Sequence, residues 1–540
     1  MTESSVEAAP AAAPGGSGTA AGETFRRTWW TAVIYLAAVA MFLRFYDLPL
    51  KPLHHDEGVN TLFLTSLVKP PHVYRYDPAN YHGPTLYYFA WLSVALLDLT
   101  TVAIRAVSGV AGLLAVFVVL MLRRQIGSVG AFAAAWILAL SPGAVYFSRY
   151  FIHEMLLVCF TIAAVVAAVS WWQRRRARDL CLAAFAAGLM FATKETAVIS
   201  AIVIAVAAVG AAALVELRQL LQEPARRPPV RDLTTALLQS SRGFIVGFRE
   251  RNGVRWLLAA LVVFLATNVV FYTSFFTHWH GAVSALESFA IWTKTGTSAH
   301  PRPWHTYLEW LSTEELPLLL LGGAGALLAL WKSENRFAVF AALWSIGEVA
   351  AYSLIPYKTP WLMLNMTAPL ALAAGYGCEW VWERRPARSG VALAGAALAV
   401  AALITYQAII LNFVEYDNDR HPYVYAHTSR EVLTMVGEIK RIEEVNPRSS
   451  IAITSPDHFP LSWYLRDYPA GYYGKAIVTK DPLVIASVDQ QATLDAALGD
   501  GFERIGVYSL RPGVQLVLYA SRGLQRGNAG TAAPSPPRTP

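Results

Sequence analysis

The chain has 540 residues, of which 55% are hydrophobic and only 15% are charged. So large an apolar fraction over this length is typical of a polytopic membrane protein. The net charge of +7 does not indicate a nucleic-acid partner, because many of the basic residues stand in short clusters between apolar segments, where the positive-inside rule places them.

Both ends of the chain are predicted to be disordered tails. Residues 1–25 are rich in Ala, Gly, Ser and Glu, and they lack a basic stretch that is followed by an apolar core and a cleavage site. They therefore indicate a cytoplasmic tail and not a signal peptide. Residues 523–540 are rich in Pro, Gly and Ala and are predicted to form the second tail.

Residues 26–413 contain the apolar segments of a predicted transmembrane domain. A helix needs roughly 20 mainly apolar residues to cross the hydrocarbon core of a bilayer. The candidate segments are Thr28–Phe45, Pro84–Leu97, Val102–Leu122, Val129–Phe147, Met155–Trp172, Leu180–Thr193, Ala197–Leu217, Trp256–Phe275, Leu316–Trp331, Phe337–Ile355, Trp361–Trp382 and Val391–Phe413.

Basic residues set the predicted orientation of these segments. Arginines follow several of them, and residues 218–255 form an Arg-containing linker that we assign to the cytoplasm. The short segment Pro84–Leu97 then cannot be a full crossing, and a re-entrant or interfacial helix is expected there. We predict a multi-pass α-helical protein of the cell membrane, with about 11–13 transmembrane helices, a cytoplasmic N-terminus and an extracytoplasmic C-terminus.

Residues 414–522 are predicted to form a small extracytoplasmic α/β domain. A helix with an N-cap at Ser429 runs to Val445, and residues 490–499 form a second helix that a glycine ends. Trp463 and Arg466 of this domain are candidates to face the active cleft. The predicted strands are Ser450–Thr454, Pro482–Val488, Glu503–Leu510 and Val514–Ser521.

Polar side chains collect at the predicted outer face of the membrane. The first outer loop, residues 46–83, contains "HHDEGVN" at His54–Asn60 and ends in "YHG". Ionisable groups at membrane depth are costly, so they favour a functional hypothesis. Later outer turns add Arg149, His153, Glu154, Lys194, Glu195 and Lys358.

This set of side chains suits the transfer of a group from a lipid phosphate. Asp56 can accept a proton from an attacking hydroxyl. Asp56 and Glu57 could also hold a divalent metal ion, which is the one cofactor that the residues suggest. Lysine and arginine can stabilise a phosphate leaving group, and aromatic faces can stack on a sugar or line a lipid groove.

Each of these residues also has a purely structural interpretation. The pair Asp56 and Glu57 could be the acidic first turn of a helix, and Arg149 could be a snorkelling interfacial arginine. The "TKET" turn around Lys194 could hold a satisfied ion pair, and Lys358 could be an ordinary loop lysine. Their joint placement on one face favours the functional interpretation.

The motifs together resemble the GT-C superfamily of membrane glycosyltransferases, in the branch of protein O-mannosyltransferases and lipid A aminoarabinose transferases. Within that branch the chain is similar to the flippase-activity-associated subfamily, which is linked to N-glycosylation in archaea and bacteria. The resemblance covers about residues 30–475 and depends on the segments "HHDEGVN", "YDPANYHGP", "SRYFIHEM", "ATKETA", "PYKTPWL" and "PLSWYLRDY".

The resemblance implies a GT-C fold and a polyprenyl-phosphate-linked sugar donor that enters from the outer leaflet. It implies that Asp56 is the catalytic base or the residue that orients the acceptor, with Glu57 beside it. One departure is Gly83, because the aminoarabinose transferases tend to carry a lysine at that position. The donor-phosphate and substrate-binding residues are then expected among His55, Tyr81, His82, Arg149, His153, Glu154, Lys194, Glu195 and Lys358.

The expected activity is inverting transfer of a hexose such as mannose to a protein or glycolipid acceptor on the extracytoplasmic face. The expected partners are the lipid-linked donor, the acceptor and membrane lipids. Two alternatives stay open: a non-catalytic factor that assists the flipping of lipid-linked sugars, and an ion-coupled transporter. The one-sided polar set favours the transferase, because mid-span charges are few and include Glu348 and Arg105.

Overall fold

The computed structural model describes residues 17–222, 253–298, 300–477 and 479–524, with the backbone alone at residues 17–25 and 295–298. Most of the predicted N-terminal tail therefore lies outside the described residues. So do the middle of the predicted cytoplasmic linker 218–255 and nearly all of the predicted C-terminal tail.

Helices make up most of the described chain before residue 414. They are α1 (Ser17–Phe45), α2 (His55–Val68), α3 (Thr85–Leu97), α4 (Thr101–Leu120), α5 (Arg123–Ile126), α6 (Ser128–Leu140), α7 (Pro142–Ser148), α8 (Glu154–Arg174), α9 (Ala177–Phe191), α10 (Ala197–Gln222), α11 (Gly253–Tyr272), α12 (His280–Ser298), α13 (Thr306–Glu314), α14 (Leu316–Lys332), α15 (Arg336–Leu354), α16 (Leu364–Arg384) and α17 (Gly390–Ile409).

Seven helices of the described chain are long and apolar enough to cross a membrane, or nine spans if each of two bent pairs counts as one. The bent pairs are α6 with α7, at 58°, and α13 with α14, at 113°. A proline stands in the first turn of the second helix of each pair, Pro142 and Pro317. Proline lacks the amide hydrogen that would continue the preceding helix, so it begins a new one. The predicted multi-pass helical architecture is confirmed.

Three further helices, α3, α9 and α16, belong to the same bundle, although α3 and α9 are short and α16 carries polar residues. Helix α16 packs against α6, α14 and α15. Small residues allow this close packing, because a Cβ added at Gly325 would lie 2.0 Å from the carbonyl oxygen of Ala373.

The start of α1 differs from the sequence prediction. The helix begins at Ser17, so the end of the segment that was predicted to be a disordered tail is helical. The apolar span supplies a stable helix, and adding residues to an existing helix costs far less than nucleating one.

The last described part of the chain is a five-stranded sheet with helices. The strands lie in the order β2-β1-β3-β5-β4, and β1 is parallel to β2 and β3 whereas β5 is antiparallel to β3 and β4. The elements are α18 (Glu431–Val445), β1 (Ile451–Ile453), α19 (Leu461–Tyr464), β2 (Ala470–Tyr472), β3 (Leu483–Ser487), α20 (Gln491–Leu498), β4 (Phe502–Arg511) and β5 (Val514–Ser521).

The two longer helices of this unit cover opposite faces of the sheet. Val432 and Ile439 of α18 pack with one set of strand residues, and Leu494 of α20 packs with the alternate set. Side chains of a strand point alternately to its two faces, which explains the division. The predicted α/β character is confirmed. The sequence prediction missed β2, a three-residue strand, and it placed the N-cap at Ser429, whereas Arg430 occupies that position.

Candidate active site

A cavity of about 530 Å³ lies between the helical bundle and the C-terminal sheet unit. Its walls come from α2, from the turns before α3, α8 and α10, and from the segment that leads into the sheet unit. Most of the predicted site residues line it: His55, Asp56, Tyr81, His82, His153, Glu154, Lys194 and Glu195.

Glu57 does not line the cavity, because it is fully buried in an ion pair with Arg105 of α4. Its Oε1 accepts from Arg105 Nε and from the Phe151 amide, both at 2.8 Å. Its Oε2 accepts from Arg105 Nη2 at 2.7 Å and from the His54 amide at 2.8 Å. Burial alone would raise the pKa of Glu57, but Arg105 and these hydrogen bonds outweigh it and lower the pKa. Both carboxylate oxygens are therefore occupied.

Arg105 ties the same pair to the start of the first outer loop. Its Nη1 donates to the carbonyl oxygens of Leu48 and Lys51, and its Nη2 also donates to that of Pro52. The planar guanidinium suits several partners in fixed directions. Glu57 and Arg105 thus fix the backbone that leads into α2.

Asp56, one residue earlier, has the opposite environment. Its side chain is 41% exposed, and it lines the cavity. The Asp56 amide donates to Nδ1 of His54 at 3.1 Å, so the Nε2 of His54 carries the proton and donates to the Tyr425 carbonyl oxygen at 3.0 Å. Asp56 is therefore a carboxylate on a fixed backbone whose side chain is open to a bound molecule.

The cavity lining also carries two buried or half-buried ionic pairs. Lys194 pairs with Glu154, and His82 Nδ1 lies 2.9 Å from Glu195 Oε2. Burial lowers the pKa of Lys194, but the two carboxylates outweigh it and raise the pKa above its ordinary value. Burial, His82 and Lys194 lower the pKa of His153 well below its ordinary value. The wall therefore presents a charged lysine beside a neutral histidine.

Close packing explains why position 83 is a glycine. The Gly83 amide donates to the Thr193 carbonyl oxygen at 3.0 Å, and the Gly83 carbonyl oxygen lies 3.1 Å from Nε2 of His153. A Cβ at this position would lie 2.0 Å from the carbonyl oxygen of Ala192. A lysine side chain therefore cannot stand here in this backbone arrangement, and the cation on this wall is Lys194.

Arg149 and Lys358, both expected to bind the donor phosphate, are not brought to the cavity. Arg149 donates to the carbonyl oxygens of Tyr46 at 2.5 Å and Asp47 at 2.8 Å, where α1 ends. The Lys358 ammonium donates to three carbonyl oxygens at the end of α15, those of Tyr352, Ser353 and Ile355. Helix C-termini leave carbonyl groups without partners, and these two cations satisfy them.

Several cavity residues were not singled out from the sequence. An aromatic group also lines the cavity: Trp292, Tyr357, Trp361 and Tyr425. "PYKTPW" could have pointed to two of them, since it was already noted for its lysine. Tyr425 carried no comparable signal, because it lies in a linker without regular secondary structure.

The sheet unit reaches the cavity by a different residue from those expected. Trp463 and Arg466 do not line it; the Trp463 Nε1 donates to Thr101 Oγ1 at 3.3 Å, and Arg466 donates to the Leu99 carbonyl oxygen at 3.3 Å. They dock the sheet unit on the turn between α3 and α4. Arg511 of β4 lines the cavity instead.

The residues present do not fit the divalent metal ion that the sequence suggested. Glu57 has no free oxygen, which leaves Asp56 as the one ligand of the proposed pair. Among the described residues, no group of three or more His, Cys, Asp or Glu side chains is arranged to hold a metal ion.

A protein-family model and several solved structures match this chain. Residues 81–225 match the sequence model of the dolichyl-phosphate-mannose-protein mannosyltransferase family. No curated protein matches the chain significantly.

Solved structures match over almost the whole chain. ArnT from Cupriavidus metallidurans bound to undecaprenyl phosphate is 17% identical, with 93% of this chain and 99% of that chain covered and a TM-score of 0.52. Its apo state is 15% identical, with 92% and 98% covered and a TM-score of 0.56.

The archaeal oligosaccharyltransferase AglB from Archaeoglobus fulgidus, in complex with an inhibitory peptide and a dolichol-phosphate, is 14% identical. The match covers 86% of this chain and 70% of that chain, with a TM-score of 0.51. At these identities the similarity establishes the fold. The protein is a multi-pass membrane protein with the GT-C fold, and its resemblance to that superfamily is confirmed.

Proposed function

We propose that the protein is a membrane glycosyltransferase that moves a sugar from a polyprenyl-phosphate-linked donor to an acceptor hydroxyl. The name of the matching family and the undecaprenyl phosphate and dolichol-phosphate bound in the similar structures support this donor class. The same family name supports the proposal of hexosyl transfer of the mannosyl kind. The acceptor is a protein or a glycolipid, and membrane lipids surround the bundle.

The exposure of Asp56 beside the saturated Glu57 is the observation that carries the proposal. Of these two adjacent carboxylates, Glu57 is bound to Arg105 and holds the loop, whereas Asp56 is open to the cavity. Asp56 takes the proton of the acceptor hydroxyl while that oxygen forms a bond to C1 of the sugar. The bond from C1 to the phosphate oxygen breaks, and the phosphate leaves with the electron pair. A single displacement of this kind inverts the anomeric centre.

Lys194 and His82 are the proposed contacts for the donor phosphate. Lys194 remains charged, and His82 is held by Glu195 so that its second ring nitrogen is left for a ligand. Both line the same cavity as Asp56. A cation near the leaving phosphate stabilises the charge that develops on it.

The aromatic group of the cavity is the proposed contact for the sugar. Trp361 and Tyr425 lie with ring centroids 6.1 Å apart, and both line the cavity. Aromatic faces bury large apolar area at fixed positions, which suits the carbon face of a sugar ring. The cavity and the sheet unit lie on the extracytoplasmic side in this proposal, and the N-terminus lies in the cytoplasm.

The test is sugar release from a panel of radiolabelled polyprenyl-phosphate sugars by the purified protein in nanodiscs. Asp56→Asn should lower the rate by about 10²–10⁴-fold, as the loss of a general base does. Asp467→Asn is the matched control, because this aspartate side chain is 66% exposed and lies outside the cavity lining. It should keep the wild-type rate.

Two outcomes would overturn the proposal. Wild type and Asp56→Asn could release sugar at the same rate, which would show that Asp56 is not the catalytic base. Alternatively, wild type could leave every donor intact and yet move labelled lipid between leaflets, and the translocation function would then replace the transferase.

A further inference from the structure

The hairpin of β4 and β5 ends against the membrane domain. Arg511 is the last residue of β4, and Pro512 and Gly513 form the turn that follows. Gly513 has φ of +81°, a left-handed conformation that glycine adopts without strain. This turn holds the Arg511 side chain at the cavity, where it is 17% exposed.

Arg511 contacts both sides of the junction between the sheet unit and α2. Its Nη1 lies 3.2 Å from Nδ1 of His55, the first residue of α2. Its Nη2 donates to Oδ1 of Asp457, in the loop after β1. The same loop supplies Phe459, whose ring lies edge-on to the His55 ring with centroids 5.2 Å apart. The sheet unit thus contacts His55 through both Arg511 and Phe459. His55 directly precedes Asp56 in the chain.

The contact with Arg511 fixes which nitrogen of His55 carries the proton. A guanidinium can only donate hydrogen bonds. The Nδ1 of His55 must therefore accept, and in the neutral ring the proton then stands on Nε2. His55 lines the cavity, so this N–H is the donor that the ring has left for a bound molecule.

We propose that Arg511 is a positioning residue of the candidate active site: by its hydrogen bond it holds His55 as the tautomer that donates from Nε2 beside the carboxylate of Asp56. The sheet unit then completes the site instead of only capping it. A lysine would not replace this arginine, because one ammonium group lacks the two separated nitrogens that join His55 and Asp457.

The first test does not depend on turnover. The protein is labelled with ¹³C,¹⁵N-histidine, placed in lipid bilayers and studied by solid-state NMR, and the His55 signal is identified by its loss in His55→Ala. Wild type should show an unprotonated Nδ1 and a protonated Nε2 at His55. Arg511→Met should add signal for the tautomer that is protonated at Nδ1.

Arg466→Met is the matched control for this test. Arg466 also ties the sheet unit to the membrane domain, but at the Leu99 carbonyl oxygen and outside the cavity lining. It should leave the His55 signal unchanged. An unchanged signal in Arg511→Met, or an equal change in Arg466→Met, would overturn the proposal.

The second test rests on the proposed transferase function. Arg511→Met should lower kcat by about 10–100-fold, as the loss of a residue that orients a functional histidine does, with KM for the donor within about twofold. Arg511→Lys should not restore the rate, and Arg466→Met should keep it.

The double variant Arg511→Met/His55→Ala should be no slower than His55→Ala alone, because Arg511 acts through His55. If the rate losses of the two single variants instead multiplied in the double variant, Arg511 would act independently of His55, and the positioning role would be contradicted. If wild type shows no turnover, the proposed function fails while the NMR result still decides the tautomer.

Discussion

The guanidinium of Arg105 and the carboxylate of Glu57 form an ion pair in which neither side chain has any solvent exposure, with Nη2 and Oε2 2.7 Å apart. The pair joins α4 to the first turn of α2. Removing one partner of a buried pair leaves an uncompensated buried charge, and this strongly destabilises the folded state.

The first prediction concerns this pair. Glu57→Gln should destabilise the protein by about 3–5 kcal/mol, because Arg105 keeps its buried charge and loses its partner. The measurement is thermal unfolding in detergent. Asp467→Asn, which breaks an exposed salt bridge to Lys69, should shift the midpoint little. If Glu57→Gln unfolded at the same midpoint temperature as wild type, the carboxylate charge would be dispensable for stability.

The second prediction concerns the charge of Lys194. Lys194→Met should weaken the binding of undecaprenyl phosphate by about 10–100-fold, the loss expected for one charge-assisted hydrogen bond. Equilibrium binding to the purified protein measures it. Lys69→Met is the control, because that lysine is exposed and pairs outside the cavity. Equal affinities for Lys194→Met and wild type would remove Lys194 from the phosphate site.

The third prediction concerns Gly83. Gly83→Ala should cost about 1–3 kcal/mol of stability, because its methyl group would overlap the Ala192 carbonyl oxygen. Gly395→Ala is the matched control: no atom lies within 4 Å of the added Cβ, and alanine favours the helix. Thermal unfolding should rank Gly83→Ala below wild type and Gly395→Ala at or above it. The reverse order would mean that the turn before α3 is not packed as described.

The fourth prediction concerns pH. Although burial raises the pKa of Glu195, His82 and Lys194 lower it below the ordinary value of 4.5. The unfolded state then binds more protons on this group, so its contribution to stability is complete above about pH 4.5 and is lost as pH falls through the lower, folded pKa.

Glu195→Gln removes this titration, so its unfolding midpoint should fall less steeply with acid than that of wild type. Unfolding midpoints between about pH 7 and pH 3 measure the difference. Glu383→Gln, at an exposed position, is the control. Identical acid slopes for wild type and Glu195→Gln would argue against a lowered pKa.

The helices and most strands could be predicted because their signals are local. Apolar length marks the spans, and short continuous apolar runs mark β3 and β5. The sequence could point to six of the residues that line the cavity: Tyr81, His82, His153, Glu154, Lys194 and Glu195. Polar groups at the edge of a membrane are energetically costly, so their presence there indicates a function. All of these arguments use neighbours in the chain.

The remaining features depend on pairs that are distant in the sequence. Arg105 looks like an isolated mid-span charge until the fold brings Glu57 to it. Arg149 and Lys358 have the residue type of phosphate ligands, but unpaired helix carbonyls attract the same type of cation. Arg511 is 456 positions from His55 and lies in a strand that carries no sign of a site.

The burial of Glu57 also determines the direction of its neighbour. Successive side chains on an α-helix are turned by about 100° around its axis. With Glu57 anchored to Arg105, a single peptide unit separates the anchor from Asp56, so the fixed backbone directs the Asp56 side chain away from Arg105 and toward the cavity. Exchanging the two acids would keep the composition and the net charge of the chain. It would nevertheless place the shorter acid next to Arg105 and the longer one in the cavity, so the order of the two acids matters for the site.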